Sequence, residues 1–182
     1  MIHPLSRRNL LTIAAAAGLA PLLGERADAA VPLRFGQPQP FTYEGLKVMA
    51  RERAARPYVE PPRPNPDVVR QIDYDAHGKL RYAKGSALFA EGPGAFPVTF
   101  QHVGLYFPKT VRMHALANGQ AREVLYDQRL FAVQPDHPAA RLPADASAFA
   151  GLWIQEARSG PWQMQEPWAT WLGASYFRAV GE

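Results

Sequence analysis

No cysteine occurs among the 182 residues. That excludes a disulfide scaffold, a thiolate metal site, an iron–sulfur ligand set and a cysteine nucleophile. Long apolar runs are missing too. The uncharged stretch Leu10 to Leu23 spans 14 residues, short of the roughly 20 that a membrane-spanning helix needs. Charge of one sign is scarce: 20 Lys+Arg against 16 Asp+Glu give a net charge of +4. The basic residues are scattered rather than gathered in a stripe, so no nucleic-acid partner is expected. No Gly-x-Ser-x-Gly, phosphate loop or dinucleotide fingerprint is present. His77, His102, His114 and His137 lack ligand spacing such as His-x-His or His-x3-His, so neither a metal nor any other cofactor is expected. What the chain has in quantity is proline, 18 residues, and aromatics, with 4 Trp, 7 Tyr and 9 Phe. A 47% hydrophobic and 20% charged composition suits a folded domain with or without a tail, and argues against a disordered chain.

Residues 1–29 read as an export signal. Ser6-Arg7-Arg8-Asn9-Leu10-Leu11 is a twin-arginine motif with apolar residues directly behind it. An alanine-rich run follows, interrupted by Gly18 and Pro21, and Ala27-Asp28-Ala29 offers small residues for cleavage after Ala29. The expected partner is the twin-arginine export machinery and the expected compartment the periplasm, with no stable membrane anchor. A retained N-terminal anchor is the alternative, disfavoured by length.

Beyond the leader, residues 30–40 are broken by proline and read as extended. Thr42 can cap a helix in which Leu46, Met49 and Arg53 recur at helical spacing, with Lys47, Arg51 and Glu52 facing water. Arg56-Pro57 ends that helix. Five prolines in 57–66 predict a stiff polyproline-like strap across a surface. From about residue 70 the period becomes twofold. Phe96, Val98 and Phe100 form one strand face, and a phase flip at Val103 beside Gly104 predicts a bulge. Asn118-Gly119, flanked by alternating segments, predicts a two-residue hairpin turn. Its register sets Met113 opposite Val124 and His114 opposite Glu123. Residues 134–147 read as loop, and 148–154 and 169–180 as further strands. The chain is therefore expected to be mainly β, with one short helix near its start.

Candidates for chemistry are few. Asp73 and Asp75 are the tight carboxylate pair after residue 29, but Asp75-Ala76-His77-Gly78 reads as a turn in which Asp residues cap local N–H groups. Trp153, Trp162, Trp168 and Trp171 fall close together near Tyr176 and Phe177. Trp faces can stack on the apolar side of sugar rings, or they can fill a core. Trp153 and Phe177 read as core from their alternating context, whereas Trp162 and Trp168 lie in a polar stretch and are the candidates for substrate binding. No catalytic residue is assigned.

The segment Trp171-Leu172-Gly173-Ala174-Ser175-Tyr176-Phe177-Arg178-Ala179-Val180 resembles a distinctive run of the periplasmic glucan biosynthesis proteins. Ile72-Asp73-Tyr74-Asp75, Leu80-Arg81-Tyr82, Ala87-Leu88-Phe89, Phe100-Gln101-His102-Val103-Gly104, Val111-Arg112-Met113 and Phe149-Ala150-Gly151-Leu152 follow the same family's order. The twin-arginine leader points to its D branch. The resemblance implies the N-terminal part of a large β-sandwich, a galactose mutarotase-like supersandwich, with residues 30–182 an incomplete domain. It implies a β-glucan partner, in the biosynthesis or processing of osmoregulated periplasmic glucans with β-1,2-linked glucose backbones. Longer members resemble β-1,2-glucan-acting glycoside hydrolases, and the resemblance puts their catalytic carboxylates beyond Glu182. A non-catalytic carbohydrate-binding module or scaffold is the alternative. A sandwich lacking part of its sheet would expose a strand edge at 169–180 and be prone to aggregate.

Overall fold

The computed structural model describes residues 30–181 except 61–62, 84, 92–95, 145, 159 and 174–175. The Arg7-Arg8 motif and the cleavage position at Ala29 lie outside the described residues. The described residues form ten strands: β1 Arg34–Phe35, β2 Gln39–Pro40, β3 Arg81–Tyr82, β4 Val98–His102, β5 His114–Ala117, β6 Gln120–Leu125, β7 Phe131–Ala132, β8 Phe149–Gln155, β9 Pro167–Leu172 and β10 Tyr176–Ala179. The helices are α1 Tyr43–Ala54, α2 Pro66–Val69 and α3 Tyr74–Lys79. The protein is mainly β, as its alternating pattern indicates.

One sheet runs β10-β9-β8-β4, all antiparallel, and a second gathers β1, β2 and β5 around β6. The proline-rich lead-in is extended because β1 and β2 both pair with β6. Between the sheets lies an aromatic core. Phe100 and Phe149 approach to 4.8 Å between ring centroids, Tyr126 meets Phe149 at 5.2 Å, and Tyr126 stacks on Phe131 at 6.1 Å. Ile72, Val103 and Leu130 close this core, each completely buried. Each fully buried Phe contributes roughly 1.5–3 kcal/mol.

The hairpin forms in its expected register. Asn118 and Gly119 take φ of 50° and 71°, and His114 lies opposite Glu123 and Ala117 opposite Gln120. The expected His114–Glu123 contact gives way to another. Arg112 lies diagonally across, and its longer side chain takes the Glu123 carboxylate. The bulge falls at Gln101/His102, just before the phase flip rather than beside Gly104.

Strand β4 is buried on both faces, not one. Its polar face is sealed by hydrogen bonds: Gln101 Nε2 donates to Thr170 Oγ1 at 2.6 Å, and Gln155 Nε2 donates to Thr99 Oγ1 at 2.7 Å. Three expectations are corrected. Asp75–Gly78 belongs to the helix α3, whose N-cap Asp73 accepts from the Ala76 amide at 2.9 Å, so the carboxylate has the capping role without the turn. With α2, which Pro66 opens, the described residues hold three short helices instead of one. Residues 169–180 are not one strand but two, because Gly173 turns the chain at φ 66° and β10 folds back on β9.

Candidate functional site

Two regions of the surface carry clustered polar or aromatic groups. The first is the aromatic end of the β8–β9–β10 sheet. Trp168 lies within β9, not in a polar linker, and packs edge-on against Phe96 at 5.6 Å. Its Nε1 is buried with no hydrogen-bond partner among the described residues. Trp162 opens a 3-10 turn, Trp162–Met164, and is half-buried. The structure does not bring these two indoles into ring contact with each other among the described residues. Trp153 is half-buried.

Phe177 is 66% exposed, against the expectation of a core residue. It stacks on Trp171, itself 41% exposed, at 6.2 Å. The reason is positional. The alternating pattern of 169–180 gives the correct face, but β10 is the last strand of its sheet and all four of its residues are exposed. Sequence alternation says which way a side chain points, not whether a second layer lies above it.

The second region is a groove beside β6. Two neighbouring hollows, about 410 and 360 Å³, share Glu123 and Ser147 as lining residues. Tyr126 and Phe149 form part of the floor, and Arg34, Arg112, Glu123 and Ser147 supply polar walls. Arg112 grips Glu123 in a two-point pair: Nε donates to Oε1 at 2.9 Å and Nη2 donates to Oε2. This bonding holds the Glu123 carboxyl below the usual carboxylate range. Arg34 reaches to 4.0 Å from Asp127, which Arg129 holds at 2.6 Å. Sequence reading overlooked this groove. The hairpin register held the one available signal, since it places Arg112 and Glu123 as diagonal neighbours.

Among the described residues, the carboxylates whose titration the fold perturbs are all shifted in one direction. Glu60, Glu123, Asp127 and Glu156 are each held low by hydrogen bonds from arginine, Glu156 down to about 2. A general acid for sugar cleavage needs the opposite shift. Among the described residues no group of three or more His, Asp or Glu is placed to hold a metal ion. No helix there is long and apolar enough to cross a membrane.

Residues 41–182 match the family model described as "Periplasmic glucan biosynthesis protein, MdoG". The chain belongs to that family. It is 43% identical over 185 aligned residues to glucans biosynthesis protein D 2 of Ralstonia nicotianae, covering 99% of this chain and 33% of that protein. It is 37% identical to glucans biosynthesis protein D of Xanthomonas oryzae pv. oryzae, covering 98% of this chain and 34% of the relative. A third relative, from Stenotrophomonas maltophilia, is 39% identical over 150 residues, 82% of this chain and 27% of its own length. The chain thus spans about a third of the length of these glucan biosynthesis proteins. Apart from Arg34, the residues named in both regions fall within the matched segment.

Proposed function

We propose that this member of the periplasmic glucan biosynthesis family acts in the periplasm by holding glucan during the making or processing of osmoregulated periplasmic glucans, with a β-1,2-linked glucose backbone as its ligand. The observation that carries this reading is the family match across residues 41–182, joined by identities of 37–43% to proteins named for glucan biosynthesis. Glu123 and Asp127, which arginines hold in the ionised form, are read as binding groups and not as proton donors. Trp162 and Trp168 are the proposed stacking positions, and export by the twin-arginine route through Arg7 and Arg8, with cleavage after Ala29, is part of the same proposal.

The test is direct binding. The chain from residue 30 is titrated with linear β-1,2-glucan, alone and with Trp162→Ala or Trp168→Ala. Saturable binding weakened about tenfold or more by either substitution is expected, about 1.4 kcal/mol for the lost contact of the indole face with the C–H side of a sugar ring. Absence of saturable binding in a chain that melts cooperatively would overturn the reading.

A further inference from the structure

The groove beside β6 carries chemistry that the aromatic end of the other sheet does not supply. We propose that it is a separate sugar-binding station that takes a neutral, polyhydroxylated stretch of glucan across the Arg112–Glu123 pair. The inference rests on the glucan-binding reading above and adds a second place of contact to it.

Shape comes first. The two hollows share Glu123 and Ser147, so the groove passes over the ion pair instead of ending at it. Thr110 and Ser147 add hydroxyls along the walls, while Val111, Tyr126 and Phe149 give an apolar floor. Tyr126 and Phe149 show only their edges there, being 9% and 2% exposed, so the hydroxyl and charged walls make up most of the surface offered to a sugar.

Charge then selects the ligand. A phosphate or carboxylate ligand would call for arginines without anionic neighbours, and a cation for unpaired acids. Arg112 already faces Glu123, and Arg34 lies beside Asp127. The pair is not exhausted, however. Arg112 spends two of its five N–H groups on Glu123, and the carboxylate has about four lone-pair sites of which two accept from Arg112. Fixed donors and acceptors in one plane match neighbouring hydroxyls, which both donate and accept.

Rigidity completes the case. Glu123 sits on the central strand β6, bracketed by β1, β2 and β5, and its own carbonyl accepts from the Gly36 amide at 2.8 Å. The segment holding Arg112 is pinned on either side: the Val111 amide donates to Phe149 O at 2.8 Å, and Met113 O accepts from the Val124 amide at 2.9 Å. Polar groups held this firmly lose little freedom on binding.

The experiment uses a linear β-1,2-linked glucooligosaccharide and amide chemical-shift mapping on the chain from residue 30. Arg112→Ala and Glu123→Gln are each expected to weaken binding about tenfold, with shifts mapped to Arg34, Arg112, Glu123 and Ser147. Arg112→Lys, which keeps the charge but loses the two-point fork, is expected to lose affinity as well. Thermal melts of each variant separate loss of binding from loss of fold. If the sugar binds with undiminished affinity to all three variants and shifts only Trp162 and Trp168, the groove proposal falls and the function stands. If no variant and no parent chain binds the sugar, both fall.

Discussion

His102 shows how one buried side chain ties several segments together. It is 1% exposed, its Nδ1 donates to Val103 O at 2.8 Å, and its Nε2 lies 3.1 Å from the Tyr126 hydroxyl, which donates to it in the neutral tautomer. His77 donates from Nε2 to the His102 carbonyl at 2.9 Å, and His137 reaches the Ala76 carbonyl in the same way. Burial, with smaller contributions from the nearby His77 and His137, lowers the His102 pKa to about 4. In the unfolded chain the ring takes a proton near pH 6.5, whereas in the fold it resists until about 4. Stability from this residue is therefore complete above pH 6.5, declines as pH falls toward 4, and levels off below. The loss is of order 3 kcal/mol. Denaturant midpoints measured between pH 7 and 4 should fall in the parent chain and change less in His102→Gln; parallel curves would refute this. Gly151 makes a second residue-scale prediction. A Cβ there would stand 2.1 Å from Trp171 O, against backbone that cannot swing aside. Gly151→Ala should cost about 3 kcal/mol, read as a lowered urea midpoint.

At the scale of elements, the hairpin and the first helix behave in opposite ways. The β5–β6 turn is defined by backbone conformation alone: a Cβ on Gly119 would meet nothing within 4 Å, yet its φ of 71° disfavours any other residue. Gly119→Ala should therefore cost about 1–2 kcal/mol through backbone strain, with no loss of packing. That cost spreads to the whole fold because β6 anchors three other strands. Helix α1 is started by Thr42, whose hydroxyl accepts from the Gly45 amide at 3.0 Å, and none of its residues is buried. Lys47→Pro should melt α1, at about 3 kcal/mol locally, while amide exchange in β8 stays as slow as in the parent. Equal acceleration in β8 would show that the helix is coupled to the core.

For the whole molecule the decisive feature is an open sheet edge. β10 leaves one edge of backbone groups without a neighbouring strand among the described residues, and beside it Trp171 and Phe177 stack in the open. Edges of this kind template self-association. Sedimentation should show the chain associating as its concentration rises, and Phe177→Lys should suppress that association without lowering the melting midpoint. Identical sedimentation of the two proteins would count against an edge-driven process.

The division between what was readable from residues and what was not follows from the range of the forces involved. The Thr42 cap, the Asn118-Gly119 turn with its register and the alternating strand at Val98–Phe100 are local matters. A few neighbouring residues decide each, so the sequence by itself determined them, along with the absence of thiol chemistry. The break at Gly173 was hidden because alternation continues through a tight turn. Exposure of Phe177, burial of Gln101 and Thr99, and the groove around Arg112 and Glu123 depend on which strand lies beside which, and on where a layer ends. Those contacts join residues as far apart as Gln101 and Thr170, whose hydrogen bond spans 69 positions. Pairing of that kind leaves no local signature, and only the tertiary structure decided it.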